Sequence, residues 1–312
     1  MTPAVARDVI AADIVGTEAG PITHDLDARW LMAYAAALGE ADPRYYDTRE
    51  AHGPLAHPLF AVCYEWPAAV ALRDRTVADV LQPRGVHATH HLVIHRPPRA
   101  GDMLRTTARV MAVHARRSGT LVVSRFETTD AAGHPVTTTD YGSVYRGVVL
   151  TGAFDTDSLA RTTAEGGAAE TPEAEGRRTG TSTAPPPAAS SARWTQVVDI
   201  PANAALIYTE CARIWNPIHT DVAVARGAGL SGPILHGTAT LALALSRVVA
   251  RDLGGEPARV AEVRARFTGM VPLPSSFSVR GQPGDGRAVA FDVVGAGGAP
   301  ILSQGVVIAC NR

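Results

Sequence analysis

The chain has 312 residues, 46% of them hydrophobic, and a formal net charge of −1. That length accommodates two ordinary domains with buried cores, and the near-zero charge gives no basis for nucleic acid held by bulk electrostatics. There is no lysine, so all 29 strong bases are arginine, and Cys63, Cys211 and Cys310 lack the C-x-x-C spacing of a metal or redox framework. Three widely spaced thiols read as reduced side chains of a cytoplasmic protein. No basic region followed by an apolar core opens the chain, so no signal peptide is expected. No apolar run is long enough to span a bilayer, so no membrane partner is expected either.

Along the chain, a short helix is expected at Tyr34-Ala35-Ala36-Ala37-Leu38-Gly39-Glu40, then a loop with Asp42, Pro43 and Asp47. A longer apolar helix is expected over Phe60–Leu72. Strand-like runs follow at Val86–His95, Met103–Val113, Leu121–Thr128 and Val136–Val149, with turn residues such as Ala131-Ala132-Gly133 between them. Composition changes abruptly over 151–192, where Glu165-Gly166-Gly167 and Pro185-Pro186-Pro187 offer no large apolar side chains to offset ordering entropy. That segment reads as a flexible linker between domains at 1–150 and 193–312. After it come a short helix around Tyr208–Ile214, a Pro-containing loop and a long helix over Gly237–Ala250. Strands are expected at Arg259–Phe267, Phe277–Gly281, Ala288–Val294 and Ile301–Ala309. A helix followed by consecutive strands argues for an α+β fold with an antiparallel sheet wrapped around a helix.

The two halves align. Tyr34 lies 174 positions before Tyr208, and the same offset pairs Glu40 with Ile214, Asp42 with Asn216, Pro43 with Pro217, Tyr45 with His219 and Asp47 with Asp221. Gly53-Pro54-Leu55-Ala56-His57 pairs with Gly232-Pro233-Ile234-Leu235-His236 at an offset of 179, so the intervening loop is five residues longer in the second half. Two ordered matches joined by a loop of variable length indicate a duplicated domain, since a solenoid repeats in shorter units.

Chemistry concentrates in Trp215-Asn216-Pro217-Ile218-His219-Thr220-Asp221 and in Gly232-Pro233-Ile234-Leu235-His236-Gly237. The first places a histidine on a Pro-stiffened turn, and the second opens a long apolar helix. Together they resemble the MaoC-like (R)-specific enoyl hydratases, whose signature runs roughly S-G-D-x-N-P-x-H with a downstream P-x-x-H-G. Asn216, Pro217, His219, Pro233, His236 and Gly237 match, while Ile214 stands where that family carries a catalytic Asp. The resemblance implies two tandem hot-dog domains forming a pseudo-dimer. It also implies reversible syn addition of water to a 2-enoyl thioester carried by coenzyme A or an acyl-carrier protein, with no cofactor. The first half, with Asp42, Tyr45 and Pro58 at the motif positions, would accommodate the acyl chain while the second does the chemistry.

Under that resemblance His219 handles the proton, Asn216 orients the loop or the water, and the Gly237 amide receives the thioester oxygen. An imidazole can accept and return a proton near neutrality, and an unpaired amide at a helix start carries the positive end of the dipole. Asp221 is a candidate to orient the His219 ring, with Glu210 and Glu40 as further carboxylates. Trp215, Ile214 and His236 would flank the substrate, and Arg264 and Arg266 on one strand face could meet a carrier phosphate. Each has a plainer reading: a turn residue for Asn216, a tight turn for Gly237, and solvated surface for the acids and arginines. Strict alternation places His87, His91 and His95 on one strand face and His90 on the other, a spacing that does not favour a metal. Three readings stay open: a hydratase or dehydratase lyase of fatty acid or polyketide metabolism; an isomerase or other tailoring enzyme; and an acyl-binding scaffold, favoured by Ile214. The fused repeats could act as a monomer or pair again as a homodimer.

Overall fold

The structure is a computed structural model and describes residues 8–49, 53–152, 192–282 and 287–310. Nearly all of the linker expected over 151–192 lies outside the described residues. In the first half, β1 (Val9–Ala11) and β2 (Glu18–Asp25) precede α1 (Ala28–Ala37) and α2 (Ala61–Thr76). Then come β3 (Gly85–Ile94), β4 (Met103–Arg116), β5 (Gly119–Thr129), β6 (Pro135–Arg146) and β7 (Val149–Thr151). The second half runs β8 (Trp194–Ile200), α3 (Ala204–Ala212), α4 (Val222–Gly227), α5 (Gly237–Asp252), β9 (Val260–Phe267), β10 (Ser275–Gly281), β11 (Ala288–Val294) and β12 (Pro300–Ala309).

Each half wraps its sheet around one long helix. In α5 the buried positions include Ala239, Leu241, Ala242, Ala244, Leu245, Val248 and Val249, so apolar side chains face inward on nearly all sides. A helix apolar all round has to be enclosed, and here the sheet encloses it. The ten strands run in the order β2-β4-β5-β6-β3-β9-β12-β11-β10-β8, which reads as the same five-strand unit approached from opposite ends. The halves join where β3 pairs antiparallel with β9, with His91 opposite Arg264 and Thr89 opposite Arg266. This is the double hot-dog architecture. Sequence reasoning missed β2 and β8, the outermost strands of the main sheet, and the short helix α4.

One local irregularity redirects a side chain. A register shift between His87 and Thr89 in the β3–β6 pairing breaks the strict alternation expected there. An extra residue on one strand re-aims the side chain next to it. The rings of His87 and His90 consequently meet at 5.4 Å between centroids, instead of lying on opposite faces as the alternation predicted.

Candidate active site

The turn that carries His219 is held by its own short-range bonds. α3 ends at Arg213, whose backbone is left-handed (φ 58°), and the Ile214 amide then returns to the Thr209 carbonyl at 3.1 Å. Asn216 is extended and caps a single turn over Pro217–His219, accepting from the Ile218 amide at 3.4 Å, while the His219 amide donates to the Asn216 carbonyl at 3.1 Å. Proline at the first position of this turn supplies the required φ and loses no needed donor.

His219 Nδ1 lies 2.9 Å from the Ile234 carbonyl. A carbonyl can only accept, so Nδ1 bears the proton and Nε2 keeps its lone pair. Burial lowers the imidazole to a pKa of about 4, against the smaller opposing effect of that hydrogen bond, so the ring is neutral at pH 7. The His236 ring stacks on it with centroids 3.6 Å apart, and His236 Nε2 is 3.2 Å from the Thr209 hydroxyl. His236 is buried and shapes the wall, while the next residue, Gly237, starts α5.

Gly237 is closely packed, and a side chain there would require the Phe267 ring to give way by a few tenths of an ångström. A Cβ there would lie 3.1 Å from Phe267 Cε1 and 3.7 Å from His87 Nδ1. Glycine therefore leaves room in front of the first amide of α5. The His87 ring is sandwiched between Tyr141 and Phe267, with centroids at 3.7 and 4.1 Å. Its Nε2 lies 3.1 Å from the Thr89 carbonyl, which again makes the bonded nitrogen the donor and leaves the other, Nδ1, with a lone pair next to Gly237. Burial holds His87 well below its ordinary pKa, so this second imidazole is neutral as well.

These groups open onto one cavity of about 380 Å³, within the range of small-ligand sites. Ile214, Asn216, His219, His236, Gly237 and Phe267 line its second-half end, and the wall continues along α2 of the first half. Ile214 is 4% exposed and presents hydrocarbon to the cavity beside the histidines.

Residues 186–300 match the MaoC like domain family, and residues 13–139 match the FAS1-like, dehydratase domain region. The second half is thus similar to a MaoC-like domain. The chain is 34% identical over 104 residues to the enoyl-CoA hydratase ChsH3 of Mycobacterium tuberculosis, a match spanning 33% of this chain and 34% of that protein. It is 29% identical over 139 residues to a UPF0336 protein of Saccharopolyspora erythraea, spanning 43% of this chain and 89% of that one. Among solved structures, a MaoC-like dehydratase from Phytophthora capsici superposes with a TM-score of 0.72 at 22% identity, over 96% of this chain and 98% of that one. That likeness shows a shared double hot-dog fold.

Within the second half the structure brings His219, Asn216, His236, Gly237 and Ile214 to the cavity and leaves other candidates outside it. Asp221 does not orient His219: its carboxylate caps α4, accepting from the Ala223 and Val224 amides at 2.7 and 3.1 Å, and the Ile234 carbonyl holds the ring instead. Trp215 is 59% exposed and does not line the cavity. Arg264 and Arg266 project from the exposed side of β9, and Arg264 pairs with Glu262. Glu210 is also exposed.

The first-half counterparts close on one another away from the cavity. Glu40 bonds the Ser246 hydroxyl of α5, His57 Nε2 lies 3.2 Å from the same oxygen, and Tyr45 is buried. His91 pairs with Glu262 at 2.8 Å and His95 with the Thr138 hydroxyl at 3.0 Å. No cluster of three or more His, Cys, Asp or Glu arranged to hold a metal occurs among the described residues. Two cavity residues, His87 and Glu65, went unrecognised as site residues from sequence. The density of histidines in β3 was the only signal for the first. Nothing marked the second.

Proposed function

We propose that the chain is a lyase that reversibly hydrates 2-enoyl thioesters and dehydrates 3-hydroxyacyl thioesters, with residues 193–312 doing the chemistry and 1–150 accommodating the acyl tail. The observation that carries this reading is the His219 Nδ1–Ile234 carbonyl bond of 2.9 Å, which leaves Nε2 as a neutral base on the same cavity as the Gly237 amide.

In dehydration, His219 Nε2 takes the proton from C2, and the electron pair of that bond moves into an enolate on the thioester oxygen. The Gly237 amide donates to that oxygen, where it counts most as charge develops. The pair then returns to form the C2–C3 double bond. The C3–O bond breaks, and the leaving hydroxyl takes the proton from His219 and departs as water. One imidazole serves both steps because a syn reaction keeps both groups on one face of the substrate. Ile214 can neither hold water nor exchange a proton, and the His87 Nδ1 lone pair supplies the second acceptor that a carboxylate would otherwise provide. The carrier is coenzyme A or an acyl-carrier protein.

Ile214 also favours a second reading, in which the same two histidines shift a proton along an enoyl chain without adding water. Turnover of 2-enoyl and 3-hydroxyacyl thioesters on both handles, by wild type, His219→Ala and Ile214→Asp, separates the two. Hydration by wild type that vanishes in a folded His219→Ala supports the lyase. Double-bond migration without water uptake selects the isomerase. Binding of thioesters with neither reaction leaves an acyl-binding protein.

A further inference from the structure

We propose that the cavity receives acyl groups bearing an oxygen acceptor a few carbons beyond the reacting pair, met there by the carboxyl of Glu65. The inference rests on the acyl-thioester reading of the site and names the class of acyl group it takes.

The acyl end of the cavity runs along one face of α2, through Val62, Glu65, Trp66, Ala69, Arg73 and Thr76. The roughly fourteen residue-to-residue rises from Val62 to Thr76 make that wall roughly 21 Å long. A pocket built for plain hydrocarbon would be apolar along this face. Instead an acidic side chain, 4% exposed, sits among Val62, Trp66 and Phe126. A buried carboxyl without partners is costly, and Glu65 has a single side-chain hydrogen bond among the described residues, accepted by Oε1 from the Thr139 hydroxyl at 2.6 Å.

The direction of that bond identifies what Glu65 offers the cavity. Burial pushes its carboxyl up to about 8, outweighing the Thr139 bond, so at neutral pH it is mostly an acid rather than a carboxylate. Thr139 donates to Oε1, so Oε1 acts as the carbonyl oxygen and Oε2 carries the proton. Oε2 meets no partner among the described residues, and its O–H therefore seeks an acceptor from the ligand. A keto, hydroxyl or ether oxygen fits, whereas an ammonium group, a donor only, does not.

The placement limits how far along the tail that oxygen lies. Thr139 and Tyr141 are two residues apart on β6, about 7 Å along the strand. Tyr141 stacks on His87, whose Nδ1 lies 3.7 Å from where a Gly237 Cβ would be. Glu65 thus belongs to the stretch next to the reacting carbons, toward the start of α2, while Arg73, farther along the helix, acts electrostatically on Tyr141 and Tyr145. Tyr141, Ser124 and Ser143 add further polar groups to the facing sheet wall.

The experiment compares wild type, Glu65→Leu and Glu65→Gln on matched coenzyme A thioesters, plain tails against tails with one keto oxygen stepped along the chain. Wild type is expected to favour a particular keto position by about tenfold or more in kcat/KM, mainly through KM. Glu65→Leu should abolish or invert that preference, lowering kcat/KM on keto chains by far more than on plain chains. Glu65→Gln should retain it, because an amide can accept from Thr139 and still donate from its NH₂. Equal use of plain and keto chains by wild type overturns the inference, as does an equal loss on both in Glu65→Leu. Should wild type turn over no thioester, the lyase reading fails and the inference is decided by calorimetric binding of unreactive coenzyme A thioethers with the same tails. A keto preference that disappears in Glu65→Leu upholds it there, and equal affinity overturns it.

Discussion

The hydroxyls of Tyr34 and Tyr208 lie 3.3 Å apart although the residues are separated by 174 positions, the same offset that aligns the two halves. Each is the other's counterpart, so their contact marks the axis relating the halves. The remaining bonds of the pair are not symmetric. Tyr208 reaches the Thr238 hydroxyl at 3.1 Å, one residue into α5 from Gly237, whereas Tyr34 reaches the Leu59 carbonyl at 3.4 Å. Tyr34→Phe is therefore expected to cost about 1 kcal/mol of stability with kcat unchanged. Tyr208→Phe should cost a similar amount and also lower kcat several-fold, because it loosens the start of α5. Denaturant melts beside steady-state kinetics on a turned-over thioester test the asymmetry; equal kinetic effects of the two variants would contradict it.

In the lyase reading, the buried His219 sets an acid limit. With its pKa held near 4 instead of 6.5, the base stays unprotonated until well below neutrality, so the acid limb of kcat/KM should fall at about pH 4. Its contribution to stability has the same sign. The folded state binds its proton less readily than the unfolded chain, so stability is fully present above pH 6.5 and drains away as pH falls from 6.5 through about 4. A pH–rate profile with an acid limb near 6.5 would show that His219 is not the essential base.

In the proposed mechanism His87 supplies the lone pair that Ile214 cannot. In the lyase reading, His87→Ala lowers kcat by about ten- to a hundredfold and leaves KM nearly unchanged, since Phe267 and Tyr141 still wall the cavity. Adding Ile214→Asp to that variant should recover part of the loss. Kinetics of the single and double variants decide whether a carboxylate at 214 and an imidazole at 87 are interchangeable.

Glu65 makes the opposite pH prediction. Its folded pKa of about 8 lies above the ordinary 4.5, so between these values the folded protein holds a proton that the unfolded chain has released. Wild-type stability should therefore fall relative to Glu65→Gln as pH rises through this window, by at most about 1.4 kcal/mol per pH unit, and level off above pH 8. Urea melts of both proteins at pH 5, 6.5 and 8 measure the widening gap. A gap independent of pH would mean that Glu65 is ionised throughout.

Much of the architecture was legible in the sequence because local periodicity encodes it. Alternation located β3 to β6 and β9 to β12 to within a few residues, apolar runs located α2 and α5, and the repeated Tyr and Pro-His motifs exposed the duplication. The outer strands β2 and β8 were missed: their polar residues, such as His24 and Gln196, give little apolar patterning. Asp221 looked like a partner for His219 at two residues' distance, but its carboxylate is engaged by the α4 amides.

The residues Asn216-Pro217-Ile218-His219 and His236-Gly237 announce the proposed chemistry in sequence, because a turn and a helix start are made by neighbours in the chain. The partners of that chemistry come from far away. Ile234 selects the His219 tautomer, a β-bulge swings His87 toward Gly237, and Glu65 reaches the same cavity from the helix of the other half. Such contacts depend on how one ten-stranded sheet closes around two helices, and no local pattern of side chains specifies them.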